Sequence, residues 1–268
     1  MKKKSMNYKQ LLLLAVNASI DGGKEIMKIY ESDFSVELKD DNSPLTLADR
    51  KCNDIIEKVL TQTQIPILSE EGAAVDYNER KLWDVFWLVD PLDGTKEFVK
   101  RNGEFTVNIA LIANGKPIMG VIYVPVKNKL YYAMDGFGSF KIQVKDNFKN
   151  LEDLMLPSIK LPCHKNKNKY VIVGSRSHMS IETKQFFEEK KKEYQNVEIL
   201  AIGSSLKLCM VAEGIANAYP RYAPTMEWDT GAGHAIVNMS GFKVFEHSSG
   251  EELRYNKENL LNPWFLVI

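Results

Sequence analysis

The amino-acid sequence predicts an α+β fold in two parts, and three observations carry that prediction. Apolar residues recur at helical spacing twice near the start, from Tyr8 to about Tyr30 and from about Ala48 to Leu60. Strand-like runs joined by turn signals then follow one another from Val85 to Val144. After a stretch rich in Lys, Asn, Asp and Pro around residues 145–169, buried strands and helices begin to alternate afresh. That stretch is the expected boundary, with residues 1–150 as one half and 151–268 as the other.

In the first predicted helix, Leu11, Leu14, Ala15, Ala18, Ile26 and Ile29 share a face, and Gly22-Gly23 predicts a kink. Its beginning imitates a secretory signal, with Lys2-Lys3-Lys4 ahead of the apolar run Leu11 to Val16. The run is short, however, and Asn17, Ser19 and Asp21 follow with no small-residue cleavage site, so a mature helix is expected. The second helix turns Ile55, Ile56 and Val59 inward and places Asp49 in its first turn, where an acid compensates the helix dipole. Ile65 to Leu68 reads as a short buried strand that stops at Ser69-Glu70-Glu71-Gly72. Adjacent acids at a strand end ordinarily belong to a solvated loop.

The central run Val85-Phe86-Trp87-Leu88-Val89 is contiguous in β-branched and aromatic residues and reads as a buried strand that delivers Asp90 to its end. Pro91 fixes one φ and Gly94 relaxes another, so the chain bends and Asp90 and Asp93 face one space. The Leu92 carbonyl and the Thr95 hydroxyl add further oxygen donors at the bend. Such a hard-oxygen set suits Mg²⁺. The plainer alternative is that the two acids only form a turn. From Glu104 to Ile112 the pattern alternates, with Phe105, Val107, Ile109 and Leu111 on one face, as in an antiparallel strand. Asn114-Gly115 is a hairpin signal. Pro117 to Val124, Leu130 to Met134 and Gly138 to Val144 extend the meander.

The second half opens with a strand, Tyr170 to Val173, closed by Gly174-Ser175-Arg176-Ser177-His178. A polar helix follows from Ile181 to Tyr194, then a strand from Val197 to Ile202 that ends in Gly203-Ser204-Ser205, and a helix from Leu206 to Ala212. A hydroxyl-rich turn opening a helix offers N–H groups and a positive dipole end to a phosphate. A simple serine cap accounts for it equally well. Lys207 adds a point charge nearby. Glu227-Trp228-Asp229 opens a helix that ends before Gly241, and Asp229 has the chemistry of an N-cap. Phe242 to Phe245 and Trp264 to Ile268 read as closing strands, and the four histidines show no ligand spacing.

Composition narrows the function. The 268 residues suffice for one large domain or two that share a core, and 44% hydrophobic with 26% charged residues is ordinary for a soluble globular protein. Lys+Arg and Asp+Glu both number 35, so no surplus charge holds a nucleic-acid polymer or an anionic membrane, and any nucleotide handled is small. Cys52, Cys163 and Cys209 are odd in number and far apart, which argues against a disulfide framework or a zinc site and for a reducing, cytoplasmic setting. No segment reaches the length needed to span a bilayer.

Asp90-Pro91-Leu92-Asp93-Gly94-Thr95 resembles the signature of the inositol monophosphatase superfamily of metal-dependent, lithium-sensitive phosphatases. Its extension from Lys96 to Ile112 is similar to the 3′(2′),5′-bisphosphate nucleotidase branch in its bacterial form. The resemblance covers nearly all of the chain, most specifically residues 43–49, 68–72, 87–112 and 228–236. It implies a layered α-β-α-β-α sandwich, with an antiparallel N-terminal sheet, a mixed C-terminal sheet and the site in the cleft between halves. It implies metal ligation by Glu70, Asp90, the Leu92 carbonyl, Asp93 and Asp229, with Glu71 supporting Glu70. Asp49, hydrogen-bonded to Thr95, would activate water. Substrate contacts are implied for Gly94, Thr95, Ser175, His178, Ser205, Lys207 and Asp229, with Arg221 a further candidate for a second phosphate.

The reaction implied is Mg²⁺-dependent release of the 3′-phosphate of adenosine 3′,5′-bisphosphate to give AMP, with its sulfated relative as a second substrate and two or three Mg²⁺ ions per site. An inositol or sugar monophosphatase and a noncatalytic sensor are the alternatives. Physical chemistry supports the cations, because carboxylates gathered in one pocket repel one another unless positive charge joins them. Two divalent ions roughly 3.5–4 Å apart can hold an attacking water and a leaving oxygen in line. The Asp-x-x-Asp spacing disfavours a phosphoaspartate intermediate of the Asp-x-Asp kind. The expected partner is a small-molecule nucleotide, and both a monomer and a homodimer fit, as does peripheral association with the cytoplasmic face of the inner membrane.

Overall fold

The first two helices, α1 (Tyr8–Tyr30) and α2 (Pro44–Leu60), lie side by side against one face of a seven-stranded sheet. The computed structural model describes residues 7–32, 44–72, 75–165, 169–174 and 180–268, so Ser43, Ser175 and His178 lie outside the described residues. Helix α1 runs unbroken through Gly22-Gly23. The two glycines serve close packing instead: a Cβ at Gly22 would sit 2.6 Å from Cys52 Sγ, and one at Gly23 would sit 2.5 Å from the Tyr123 ring. Helix α2 starts at Pro44, the position proline favours in a first turn, and not at Ala48. Asp49 therefore stands in the second turn, and compensation of the helix dipole does not account for it.

The large sheet takes its strands in chain order: β1 (Ile67–Ser69), β2 (Val85–Asp93), β3 (Thr106–Ala113), β4 (Lys116–Val124), β5 (Lys129–Met134), β6 (Gly138–Gln143) and β7 (Ile159–Lys160). Short helices α3 (Tyr77–Arg80), α4 (Thr95–Val99) and α5 (Leu151–Met155) lie between them. The expectation of an antiparallel sheet holds except at one edge, where β1 and β2 pair parallel, with Ile67 opposite Trp87 and Ser69 opposite Val89. Parallel pairing needs a crossover, which the chain makes through a 3₁₀ turn at Glu70–Gly72 and α3. Asn114 and Gly115, at φ 51° and 73°, make the tight turn between β3 and β4. The lysine-rich stretch after residue 145 contains α5 and β7, and β7 pairs with β6, so the large sheet extends to Lys160.

Strand alternation divides the core between the two faces of this sheet. Trp87, Val89, Val107, Ile109 and Leu111 pack with Leu12, Ala15, Val16 and Ile56 from α1 and α2. Phe86, Leu88, Ala110, Ile112 and Ile122 face the other way, toward the C-terminal half. There β8 (Tyr170–Gly174) pairs parallel with β9 (Val197–Ala201), and β12 (Phe265–Val267) lies antiparallel between β10 (Tyr219–Arg221) and β11 (Val244–Glu246). A parallel bridge from Ile172 to Ala218 links the two groups, so this half is mixed, as expected. Helices α7 (Leu206–Ala212) and α8 (Glu227–Met239) fill the middle layer, and α6 (Ile181–Glu193) packs on β10. The result is a layered α+β sandwich. Helix α8 sits very close to the sheet: a Cβ at Gly120 would lie 2.2 Å from the Ala232 carbonyl oxygen.

Candidate active site

Parallel pairing of β1 and β2 brings both strands to the same end of the sheet. With Ser69 opposite Val89, the next residues, Glu70 and Asp90, emerge side by side. Strand β2 does not stop at Asp90. It continues to Asp93, and its register with β3 shifts between Asp90, opposite Asn108, and Asp93, opposite Thr106. One extra residue is thus accommodated by a bulge, where Pro91 needs no ladder N–H. Helix α8 supplies Asp229 from across the interface. Glu70, Asp90 and Asp229 each place a carboxylate oxygen within 4.8 Å of the others.

Hydrogen bonds hold these acids unequally. Asp90 is buried; its Oδ1 accepts from the Leu92 N–H at 3.1 Å, and its Oδ2 has no partner. Asp229 is the third residue of α8 and not its N-cap; its Oδ2 accepts from the Met226 N–H at 2.8 Å. Asp93 Oδ2 accepts from the Ser205 N–H at 2.5 Å and lies 2.7 Å from Ser205 Oγ. That hydroxyl is also 2.9 Å from the Asp229 carbonyl and accepts from Asn108 Nδ2 at 2.9 Å. Ser205 therefore ties Asp93, Asp229 and Asn108 together, and its donors are taken up by acids. Lys207 is buried and donates to the Ser204 carbonyl at 2.6 Å, with its ammonium 5.7 Å from the centre of the Tyr219 ring.

The cluster resists ionisation. Burial drives the Asp90 carboxyl well above the usual range, and Asp93, Glu70, Asp229 and Asp49 add to it. Burial and then Asp93 push Asp229 up to about 7, and burial and then Asp93 also raise Glu70. Asp49 is pushed up to about 8 by burial, then by Glu71 and Glu70. Lys207 is brought down to about 8 by burial, against the opposing pull of Asp93. An arrangement of this kind is tolerable where cations bind.

Beside the acids opens a cleft of about 200 Å³ lined by Asp93, Thr95, Lys96, Glu97, Lys207 and Arg221. Gly94, at φ +95°, turns β2 into α4, and a Cβ there would lie 3.1 Å from the Glu104 carbonyl oxygen. Thr95 is exposed at the start of α4. Asp49 Oδ1 is buried with no hydrogen-bond partner, so the expected bond to Thr95 is not made through that atom. Glu71 is exposed in the 3₁₀ turn beside Glu70. The Arg221 Nη2 donates to the Pro224 carbonyl at 2.9 Å while its Nε is buried without a partner. Asn108 and Glu104, whose Oε2 accepts from the Gly203 N–H at 2.8 Å, also shape the site and were not among the sequence candidates. Alternation puts Asn108 on the polar face of its strand, so no sequence signal marks it.

Residues 7–263 match the model of the inositol monophosphatase family. The chain belongs to the inositol monophosphatase family. Within it, this family member is 43% identical to the 3′(2′),5′-bisphosphate nucleotidase CysQ of Escherichia coli O6:H1, over 96% of this chain and 98% of that protein. It is 35% identical to the CysQ of Haemophilus influenzae, over 97% of this chain and 91% of the other. Its fold matches the crystal structure of CysQ from Bacteroides thetaiotaomicron with a TM-score of 0.93 and 49% identity, covering 97% of each chain. An inositol monophosphatase from Zymomonas mobilis, at 16% identity and a TM-score of 0.75, shares the fold. Among the described residues no helix is long and apolar enough to cross a membrane.

Proposed function

We propose that this protein is a 3′(2′),5′-bisphosphate nucleotidase that hydrolyses the 3′-phosphate of adenosine 3′,5′-bisphosphate to AMP and phosphate, and acts on the sulfated relative of that nucleotide as well. Identity over almost the whole length with CysQ proteins carries the choice of substrate. The meeting of Glu70, Asp90 and Asp229 carries the choice of chemistry.

The donor set fits divalent cations. All of its atoms are hard oxygens, and Asp90 Oδ2 is buried in the cluster with nothing bonded to it. In this reading Glu70, Asp90 and the Leu92 carbonyl would hold one Mg²⁺, and Asp90, Asp93 and Asp229 would hold a second. When bound, the ions acidify water and stabilise charge on phosphate and on the leaving oxygen. Asp49 and Thr95 orient the attacking water, and Asp49 takes its proton. Water attacks phosphorus in line with the departing 3′ oxygen, with no covalent intermediate. Ser205, through its bonds to Asp93 and the Asp229 carbonyl, keeps two ligands in register. Lys207 braces the loop at the Ser204 carbonyl and adds positive charge to the cleft, and Arg221, which lines the same cleft, would meet the second phosphate.

In the same reading residues 1–150 carry most metal ligands and residues 151–268 most nucleotide contacts, and the enzyme works in the cytoplasm. Phosphate release from adenosine 3′,5′-bisphosphate and from inositol 1-phosphate, each with and without Mg²⁺, tests the proposal. The nucleotide should be strongly preferred and the reaction should stop when Mg²⁺ is chelated. Equal or reversed preference would favour an inositol or sugar monophosphatase.

A further inference from the structure

A second group of side chains with metal-ligating chemistry lies far from the carboxylate cluster in character, because it contains sulfur and nitrogen. Cys163, His164 and Glu213 each place one donor atom within 4.8 Å of the others. Cys163 Sγ is 4.0 Å and His164 Nε2 is 3.7 Å from the same oxygen, Glu213 Oε2. Around a tetrahedral zinc, bond lengths near 2.0–2.3 Å put ligand atoms about 3.4–3.6 Å apart, so small side-chain movements close the set.

The surroundings of the group are built and not incidental. Glu213 follows α7 and is 2% exposed. Its backbone carbonyl accepts from both the Cys163 N–H at 3.1 Å and the His164 N–H at 2.9 Å. Its other carboxylate oxygen, Oε1, accepts from the Tyr131 hydroxyl at 2.6 Å, the kind of outer bond that orients a metal ligand. Gly214, at φ +78°, permits the close approach, since a Cβ there would lie 2.3 Å from the His164 carbonyl oxygen. The position a metal ion would take is covered by the ammonium of Lys141, which pairs with Glu213 Oε2 and contacts the Cys163 thiol. The Lys141 side chain is 14% exposed, which leaves its ammonium a path to solvent.

We propose that Cys163, His164 and Glu213 form a zinc-class site, separate from the magnesium site, in which Lys141 holds the place of the ion until metal displaces it. Thiolate, imidazole and one carboxylate, with water as the fourth ligand, select a soft or borderline divalent ion and discriminate against Mg²⁺. On binding, the Cys163 thiol gives its proton to solvent and the Lys141 ammonium moves away with its charge. Zn²⁺, one thiolate and one carboxylate then sum to zero. The ion clips the segment after β7 to the end of α7, whose opposite end carries Ser205.

Cobalt tests this, because a cobalt–thiolate bond absorbs in the near ultraviolet and the all-oxygen cluster cannot produce that band. Co²⁺ is titrated into the full-length protein saturated with Mg²⁺. The expected result is one equivalent of a charge-transfer band, bleached by Zn²⁺ and absent in Cys163→Ser, a variant that keeps its nucleotidase activity. Lys141→Met removes the competing ammonium and should tighten Co²⁺ binding by about tenfold or more, whereas Tyr131→Phe should weaken it about 10–100-fold. The proposal is overturned if wild-type protein gives no band, if the band survives in Cys163→Ser, or if Lys141→Met leaves the affinity unchanged. Cys52 and Cys209 are both completely buried, so they do not supply an alternative accessible thiolate.

Discussion

Replacing Asp49 by Asn should stabilise the metal-free protein at alkaline pH while removing activity. Burial beside Glu71 and Glu70 lifts the Asp49 carboxyl from 3.8 to about 8. The folded protein therefore holds a proton that the unfolded chain has lost over the window between those values. In that window the folded state binds more protons than the unfolded one, so stability falls as pH rises. Such a displacement amounts to about 5–6 kcal/mol against the ionised folded state. Relaxation around the charge and the unmet polar needs of a buried amide reduce the gain in Asp49→Asn to about 2–3 kcal/mol. For a chain of this length that is on the order of 5 °C in Tm. Thermal unfolding in excess chelator at about pH 8.5 should show the variant melting higher than wild type, and at about pH 5, only about one unit above the unfolded value, the gap should shrink to about a third. Equal melting of the two proteins at the higher pH, or a wild type that melts above the variant there, would refute the electrostatic reasoning.

Asp90→Asn should abolish the rise in Tm that Mg²⁺ gives the wild type, about 2.7 kcal/mol per ion at a hundredfold excess over Kd. Turnover should fall about a thousandfold, equivalent to about 4 kcal/mol of barrier, and a retained Mg²⁺ shift would remove Asp90 from the ligand set. Ser205→Ala takes the hydroxyl from Asp93 and leaves Asn108 Nδ2 without its acceptor. The cost should be about 1–3 kcal/mol of stability in denaturant titrations, with a higher Mg²⁺ requirement for half-maximal activity. Gly120→Ala puts a methyl group 2.2 Å from the Ala232 carbonyl oxygen and must push α8 off the sheet. Loss of about 1–3 kcal/mol is expected together with reduced kcat, because α8 carries Asp229; unchanged stability would show that the helix can yield.

Local chemistry was the part of this protein that its sequence disclosed. Val85 to Val89 is a buried strand, Asn114-Gly115 is the hairpin, and Phe105, Val107, Ile109 and Leu111 share the face toward α1 and α2. Strand direction was not disclosed, since an alternating pattern is the same read either way. The parallel β1–β2 pair that places Glu70 beside Asp90 could be expected only through the motif and not through periodicity. A helix that begins at Ala48 puts Asp49 in its first turn, whereas Pro44 signals the earlier start that the structure has. Alternation from Glu104 to Ile112 predicts one apolar face only, but β3 is buried on both sides and the Asn108 amide donates to Ser205 Oγ. Ser205 itself offered two readings, phosphate seat or cap, and its hydroxyl turned out to serve Asp93 and not its own helix. The group around Glu213 left no sign in the chain at all, because Cys163 and His164 meet it only across fifty residues of intervening fold.

The carboxylates that converge at the mouth of the sheet are drawn from residue 70 at one extreme and residue 229 at the other. During synthesis, the chain through residue 229 must leave the ribosome before this set can exist. On the proposed reading a chain that lacks α8 would offer only the ion site of Glu70, Asp90 and the Leu92 carbonyl, and the second site would wait for Asp229. Uptake of that second cation would then report the docking of α8, and whatever free energy it contributes would be withheld until that helix is in place.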